Sequence, residues 1–392
     1  MGKQQQVADR RGANRAPIAC RASAAQQPAG VSPPPANAAA VRHLRSDILA
    51  MAPYTPGEQV NECIKLNTNE CPWPPSPAVK AVLATISDDQ LRQYPDPSAQ
   101  RLREAAAAAY GVTADQILAG NGSDDCLTII YRAFLVPGDR VACPWPTYGL
   151  YETLAALQGV ELIPVDYLID AVQWRLPEAL PRQAAKLVIV ANPNNPSATI
   201  AGVDELRRLA DRVDGMLVVD EAYIDFAEAD GRGASIIPYL DQHPNLIVLR
   251  TFSKSFSLAG ARLGLLFAQA PIVANLAKVK DSYNVNVLTQ ALGTAALNDR
   301  QTHLDQVRRT VLERARLERG LAAFGWTWPQ SAGNFLLCEV GDDAERIYLG
   351  LKARGILVRW WSKPALRSKL RITVGRPEDS DRLLAALREL LA

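Results

Sequence analysis

The chain has 392 residues, of which 48% are hydrophobic and 21% charged, and 43 Lys and Arg against 41 Asp and Glu leave a net charge of +2. That length allows two or three domains, and the balanced charge speaks against a nucleic-acid binder resting on many phosphate contacts. No run approaches the roughly 18 uncharged apolar residues of a membrane span. The histidines His43, His243 and His303 are scattered, and the six cysteines form no CxxC pair. No metal site, His-based triad or thioredoxin chemistry is therefore expected, and scattered thiols fit a cytoplasmic protein.

Residues 1–40 are rich in Ala, Gln, Pro and Arg and contain one acid, Asp9. They are expected to form a disordered arm. An acid-poor, Arg-bearing start also fits an organelle transit peptide. Ser98 is placed to cap a helix through the Ala-rich run 105–109, ending at Gly111. From there short apolar runs alternate with helical stretches. Strands are expected at 141–143, 161–165, 186–191, 216–219, 246–249 and 263–268, with helices at 148–158 and 204–213. Continuous β-branched runs of this kind suit strands buried on both faces, and the alternation predicts an α/β domain with a mostly parallel sheet. After residue 298 the texture changes. A long charged helix (302–324) precedes an apolar run (335–340), a helix (343–354), strands at 356–359 and 370–374, and an amphipathic helix at 377–391. This reads as a smaller α+β domain. The expected division is an arm (1–40), a segment joining the small domain (41–78), a large domain (79–297) and a small one (298–392).

Five segments stand out, four of them at or just after strand candidates, where open α/β sheets bind ligands. Gly120-Asn121-Gly122-Ser123-Asp124-Asp125 opens a helix. Its backbone N–H groups could cradle a phosphate, or Ser123 or Asp124 could simply cap the helix. Tyr148 could stack on a cofactor ring or lie in the core. Asn192-Pro193-Asn194-Asn195 is either a plain turn or a donor, through Asn195, to a ring oxygen. Asp220 ends an apolar run, as a cap or metal ligand, or as the partner of a protonated pyridine nitrogen. Tyr223, three residues on, could reach the ring hydroxyl. In Thr251-Phe252-Ser253-Lys254, Lys254 is a surface lysine or a Schiff-base lysine, with Thr251, Ser253 and Arg262 around a phosphate.

Taken in this order, the segments resemble the fold-type I aminotransferases that use pyridoxal 5′-phosphate (PLP). Within them the chain is similar to the histidinol-phosphate aminotransferases. The resemblance rests on 66–70 (Leu-Asn-Thr-Asn-Glu), 93–97 (Gln-Tyr-Pro-Asp-Pro), 120–125, 219–226, 251–264, 333–335 (Gly-Asn-Phe) and 370–375, and covers about 41–392. Cys71 stands where the family usually has Asn, and Ser197-Ala198 where it has Thr-Gly.

The resemblance implies a large PLP-binding α/β domain and a smaller α+β domain. It implies Lys254, Asp220 and Tyr223 as catalytic residues. It places the cofactor on Gly122, Ser123, Asp124, Tyr148, Asn195, Thr251, Ser253 and Arg262, with Tyr94 reaching across a homodimer. Tyr54, Asn69, Asn334, Arg359 and Arg371 would hold substrate. The implied reaction converts L-histidinol phosphate and 2-oxoglutarate into imidazole-acetol phosphate and glutamate. An aromatic amino-acid aminotransferase, for which Trp360-Trp361 speak, and a phospho-amino-acid decarboxylase remain as alternatives, with a non-catalytic PLP-binding module behind them.

Overall fold

The apolar runs become strands whose alternate residues feed two separate cores. In the computed structural model, which describes residues 41–392 apart from 52–56, 61 and 171, the strands in chain order are β1 (Ile64–Lys65), β2 (Ile117–Gly120), β3 (Arg140–Trp145), β4 (Glu161–Asp166), β5 (Leu168–Ile169), β6 (Trp174–Arg175), β7 (Leu187–Ala191), β8 (Met216–Asp220), β9 (Leu246–Thr251), β10 (Gly264–Phe267), β11 (Phe335–Glu339), β12 (Ile356–Leu357) and β13 (Lys369–Thr373). One seven-stranded sheet has the order β2-β10-β9-β8-β7-β3-β4. Strands β9, β8, β7, β3 and β4 run parallel, and β10 is antiparallel to both β2 and β9. The expected mostly parallel sheet is present. Every residue of β7 and β9 is buried, because helices cover both faces. Val188, Val190, Leu217, Val219 and Val248 enter one core. Their neighbours Leu187, Ile189, Val218, Ile247 and Leu249 enter the other, as the two-residue strand period requires.

A third core gathers Leu66, Leu317, Leu321, Leu336, Ile347, Leu370 and Leu383. It lies against β11–β13, an antiparallel pair, and against β1, which pairs in parallel with β12. The long helix Arg300–Ala322 serves both parts. Its Val307 packs with Tyr223, Phe226 and Phe335, while Leu317 and Leu321 belong to the third core. Among the described residues no helix is long and apolar enough to cross a membrane.

Some local expectations need correction. Ser98 does not cap the Ala-rich helix, which spans Gln100–Tyr110 behind Ala99 at φ +49°. Asp96 does the capping. Its Oδ2 accepts the Gln100 N–H at 2.7 Å, and its Oδ1 accepts the Ser98 N–H and hydroxyl at 2.8 and 2.7 Å. The helix does end on Gly111 in the left-handed region, φ +71°. The strand expected over 356–359 stops at Leu357, leaving Arg359 on an isolated bridge to Arg371. Strand β2 was not anticipated; its four residues carry too short a pattern beside the glycine turn.

Candidate active site

The parallel strands bring their carboxyl ends to one edge of the sheet. Asp220 is the last residue of β8 and lies beside Ala191 at the end of β7. Asn192–Asn195 continue from β7, and Ser253-Lys254 continue from Thr251 at the end of β9. The helix Ser123–Phe134 starts after β2, which β10 joins to β9. Residues distant in sequence meet there for this topological reason.

Asp220 is buried, and burial pushes its carboxyl up to about 6, opposed by the bond from Tyr151. The Tyr151 hydroxyl donates to Oδ2 at 2.9 Å and the Ala222 N–H to Oδ1 at 3.2 Å. A buried carboxylate held this way suits a cationic partner such as a protonated ring nitrogen. Tyr151 was missed in the sequence, where it reads as one more aromatic inside an apolar helix. Tyr148 lies just before the helix, whose N-cap is Gly149, and the two rings meet edge-on with centroids 5.7 Å apart.

Lys254 donates from Nζ to the Thr68 carbonyl at 2.9 Å, with Nζ 5.8 Å from the centre of the Tyr223 ring. Burial, then the Arg371 guanidinium, push its amine down to about 8. A larger share of free amine is present near neutrality than in an exposed lysine, which is what a Schiff-base lysine needs. The buried Tyr223 hydroxyl accepts from Asn69 Nδ2 at 3.0 Å. Asn69 Oδ1 accepts in turn from the Thr373 hydroxyl at 2.9 Å. Asn334 is fully buried and donates from Nδ2 to the Asn69 carbonyl at 3.1 Å.

The glycine turn is a cradle. Gly122 precedes the helix Ser123–Phe134 at φ +91°, with no side-chain cap. Capping by Ser123 or Asp124 is thereby ruled out, and Asp125 Oδ2 instead takes the Asn121 N–H at 2.9 Å. A Cβ on Gly122 would lie 2.7 Å from Arg262 Nη2, and one on Gly264 2.3 Å from the Ser123 nitrogen. Arg262 donates to the Ser253 hydroxyl and to Asp124 Oδ2, both at 3.3 Å. The Tyr148 hydroxyl donates to Asp124 Oδ1 at 3.3 Å, and the Thr251 hydroxyl accepts the Ser253 N–H at 3.2 Å. Positive charge, helix N-terminal amides and hydroxyls thus meet at one point, the chemistry of a phosphate site.

At the other end Arg371 donates from Nη1 to Asn195 Oδ1 at 2.6 Å and from Nη2 to the Asn67 carbonyl at 2.7 Å. Holding Asn195 by its oxygen turns the Nδ2 donor the opposite way. Arg359 lies across the antiparallel bridge from Arg371. The unusual Ser197-Ala198 pair is accommodated. Ser197 Oγ accepts from Asn194 Nδ2 at 2.9 Å, while Ala198 adopts φ +59°, where glycine would be freer. Cys71 is half-buried, and burial pushes its thiol up.

Tyr54 lies outside the described residues. One expected residue, Tyr94, stands apart. It is 80% exposed and stacks on Tyr283 with ring centroids 4.4 Å apart. Tyr283 precedes Asn284, whose Nδ2 donates to Asp125 Oδ2 at 2.9 Å. Also unanticipated is Arg250, a buried cation within β9 that reaches Glu221 Oε2 at 3.2 Å and Asp225 Oδ1 at 2.5 Å.

The residues present fit PLP. The cradle would take its phosphate and Asp220 its ring nitrogen, and Asn334 Oδ1 is a buried acceptor without a partner among the described residues. The architecture and strand-end site are those of a fold-type I aminotransferase. Residues 61–387 match the family model for aminotransferase class I and II, and the chain belongs to that family. Among its relatives is histidinol-phosphate aminotransferase 1 of Trichormus variabilis, 41% identical over 354 residues, 89% of this chain and 99% of the relative. The histidinol-phosphate aminotransferase of Geotalea uraniireducens is 40% identical over 352 residues, 88% of this chain and 99% of the relative. A solved structure of histidinol-phosphate aminotransferase from Sinorhizobium meliloti in complex with pyridoxal-5′-phosphate matches with a TM-score of 0.81 and 27% identity, covering 89% of this chain and 97% of that one.

Proposed function

We propose that this aminotransferase binds PLP and transfers the amino group of L-histidinol phosphate to 2-oxoglutarate in histidine biosynthesis. The observation that carries the reading is the strip Asn67-Thr68-Asn69. Its three residues tie the anion end, the lysine and the ring-oxygen end into one site: Arg371 bonds the Asn67 carbonyl, Lys254 the Thr68 carbonyl and Asn69 the Tyr223 hydroxyl. Relatives about 40% identical over most of their length bear the same substrate in their names.

The cofactor, when bound, supplies an electron sink for charge developing at the substrate carbon. Asp220 would hold the ring nitrogen in its protonated form, Tyr223 and Asn195 would bond the ring oxygen, and Tyr148 would cover a ring face. Gly122, Ser123, Asp124, Thr251, Ser253 and Arg262 would hold the phosphate, with Tyr94 contributed across a homodimer. Lys254 would take the proton from the donor's carbon and deliver it to C4′ of the cofactor, and would run the reverse transfer with the acceptor. Arg371, helped by Arg359, Tyr54, Asn69 and Asn334, receives the donor phosphate and then the carboxylate of 2-oxoglutarate, since guanidinium groups pair well with oxygen anions. The reading places the enzyme in the cytoplasm. It treats 41–78 with 298–392 as a small unit against 79–297.

The test is glutamate formation by the purified protein. Glutamate should appear from 2-oxoglutarate only when L-histidinol phosphate is supplied. Carbon dioxide release from a phospho-amino acid without any oxo acid would favour a decarboxylase instead.

A further inference from the structure

We infer that Trp361 is a positioning residue that holds Arg359 and Arg371 together as one clamp for a phosphate dianion. The inference rests on the proposed use of Arg371 as the substrate-anion site. Arg359 and Arg371 form a hydrogen-bonded antiparallel pair, exchanging N–H···O bonds of 3.0 and 2.9 Å. In such a pair both side chains stand on the same face, and two like charges directly opposite each other repel. Asn195, the Asn67 carbonyl and the Phe335 ring, 5.3 Å from its guanidinium carbon, steady Arg371 alone; a group shared by both arginines would offset the repulsion between them.

The indole of Trp361 is in place to do so. The guanidinium carbons of Arg359 and Arg371 each lie 5.4 Å from its ring centre. An aromatic face attracts a cation through its quadrupole, and tryptophan does so best. The ring is half-buried against the cluster formed by Tyr167, Trp174, Leu337 and Leu366. Its neighbour Trp360 points elsewhere, stacking on Tyr348 at 6.0 Å and donating from Nε1 to the Arg367 carbonyl at 2.9 Å. The Trp-Trp pair is thus split. Trp360 serves the small core, and Trp361 spends its face on two arginines rather than on a substrate ring.

Two charges held side by side match a doubly ionised phosphate better than a single carboxylate. Trp361 therefore sets preference for the phosphorylated donor by acting through the arginines. The test uses the holoenzyme, with Trp361→Met to keep bulk but remove the aromatic face, and Trp361→Phe to retain a smaller one. Each is assayed with L-histidinol phosphate and with unphosphorylated histidinol. Trp361→Met should raise KM for histidinol phosphate about tenfold, with kcat little changed and kcat/KM for histidinol unaffected. Trp361→Phe should restore most of the loss. An equal fall for both donors in Trp361→Met, or a Trp361→Phe variant as impaired as Trp361→Met, overturns the clamp. A wild-type enzyme that turns over both donors equally would instead remove the anion-site reading, and the clamp with it.

Discussion

The Tyr151 hydroxyl donates to Oδ2 of Asp220 at 2.9 Å, joining the helix Leu150–Gln158 to the carboxyl end of β8. Burial alone would leave this carboxylate strongly disfavoured, and the phenol offsets part of that cost. Tyr151→Phe removes the donor and strands a buried acceptor. A hydrogen bond to a charged group contributes about 1.5–3 kcal/mol, so the Asp220 pKa should rise above its value of about 6 by about one to two units. The acid limb of the pH profile of PLP uptake by cofactor-stripped protein should move to higher pH, and cofactor should dissociate more readily. An unmoved acid limb would show that the phenol does not tune Asp220.

Lys254 should react as a weakly basic amine. Its pKa lies near 8 because burial and Arg371 disfavour the charged form. In cofactor-stripped protein, the rate of PLP uptake should rise with pH and level off above a midpoint near that value. The wild-type holoenzyme should show visible cofactor absorbance that borohydride abolishes. Lys254→Ala should lose the covalent adduct and at least about 10²–10⁴-fold in rate. Full activity in that variant would refute the assignment.

Arg371→Ala should weaken apparent affinity for both the phosphorylated donor and 2-oxoglutarate, because one guanidinium serves both half-reactions. It also removes the bonds to Asn195 and the Asn67 carbonyl, so kcat should fall as well. Unchanged KM for both substrates would contradict a shared anion site.

Arg250 is structural. It is 3% exposed and neutralises Glu221 and Asp225. Removing one member of a buried ion group costs about 3–5 kcal/mol, and Arg250→Met should show that loss in denaturant unfolding. Burial already pushes Glu221 up to about 7. With Arg250 gone its pKa rises further, and the folded state then binds more protons than the unfolded state from the ordinary Glu range upward. Stability of the variant should therefore fall as pH rises across that window. A variant as stable as wild type at neutral pH would show that the network is dispensable.

Much of the site was legible because its side chains announce themselves. Asp220 ends an apolar run, Lys254 sits among hydroxyls after a strand, and the glycines precede a helix. What escaped has weaker signatures. The carbonyls of Asn67 and Thr68 are acceptors in any residue, so the 66–70 motif marks the strip but not the role of its backbone. Tyr151 looks like core until its hydroxyl needs a partner. Arg250 did carry a signal, a lone charge within a strand buried throughout, beside an acid that follows another acid in Asp220-Glu221. Ser98 misled because Ser and Asp compete for the same caps, and the left-handed Ala99 hands the cap to Asp96. Chemistry borne by side chains at strand ends is readable; chemistry borne by the backbone and by long-range pairing waits for the fold.

The account's central claim is that the amino donor is phosphorylated and is held by Arg371. It is tested most directly by comparing kcat/KM for L-histidinol phosphate and L-phenylalanine with 2-oxoglutarate as acceptor. The account predicts that histidinol phosphate is much the better donor and that Arg371→Ala erases most of its advantage. Phenylalanine as the better donor would contradict it and make this an aromatic amino-acid aminotransferase.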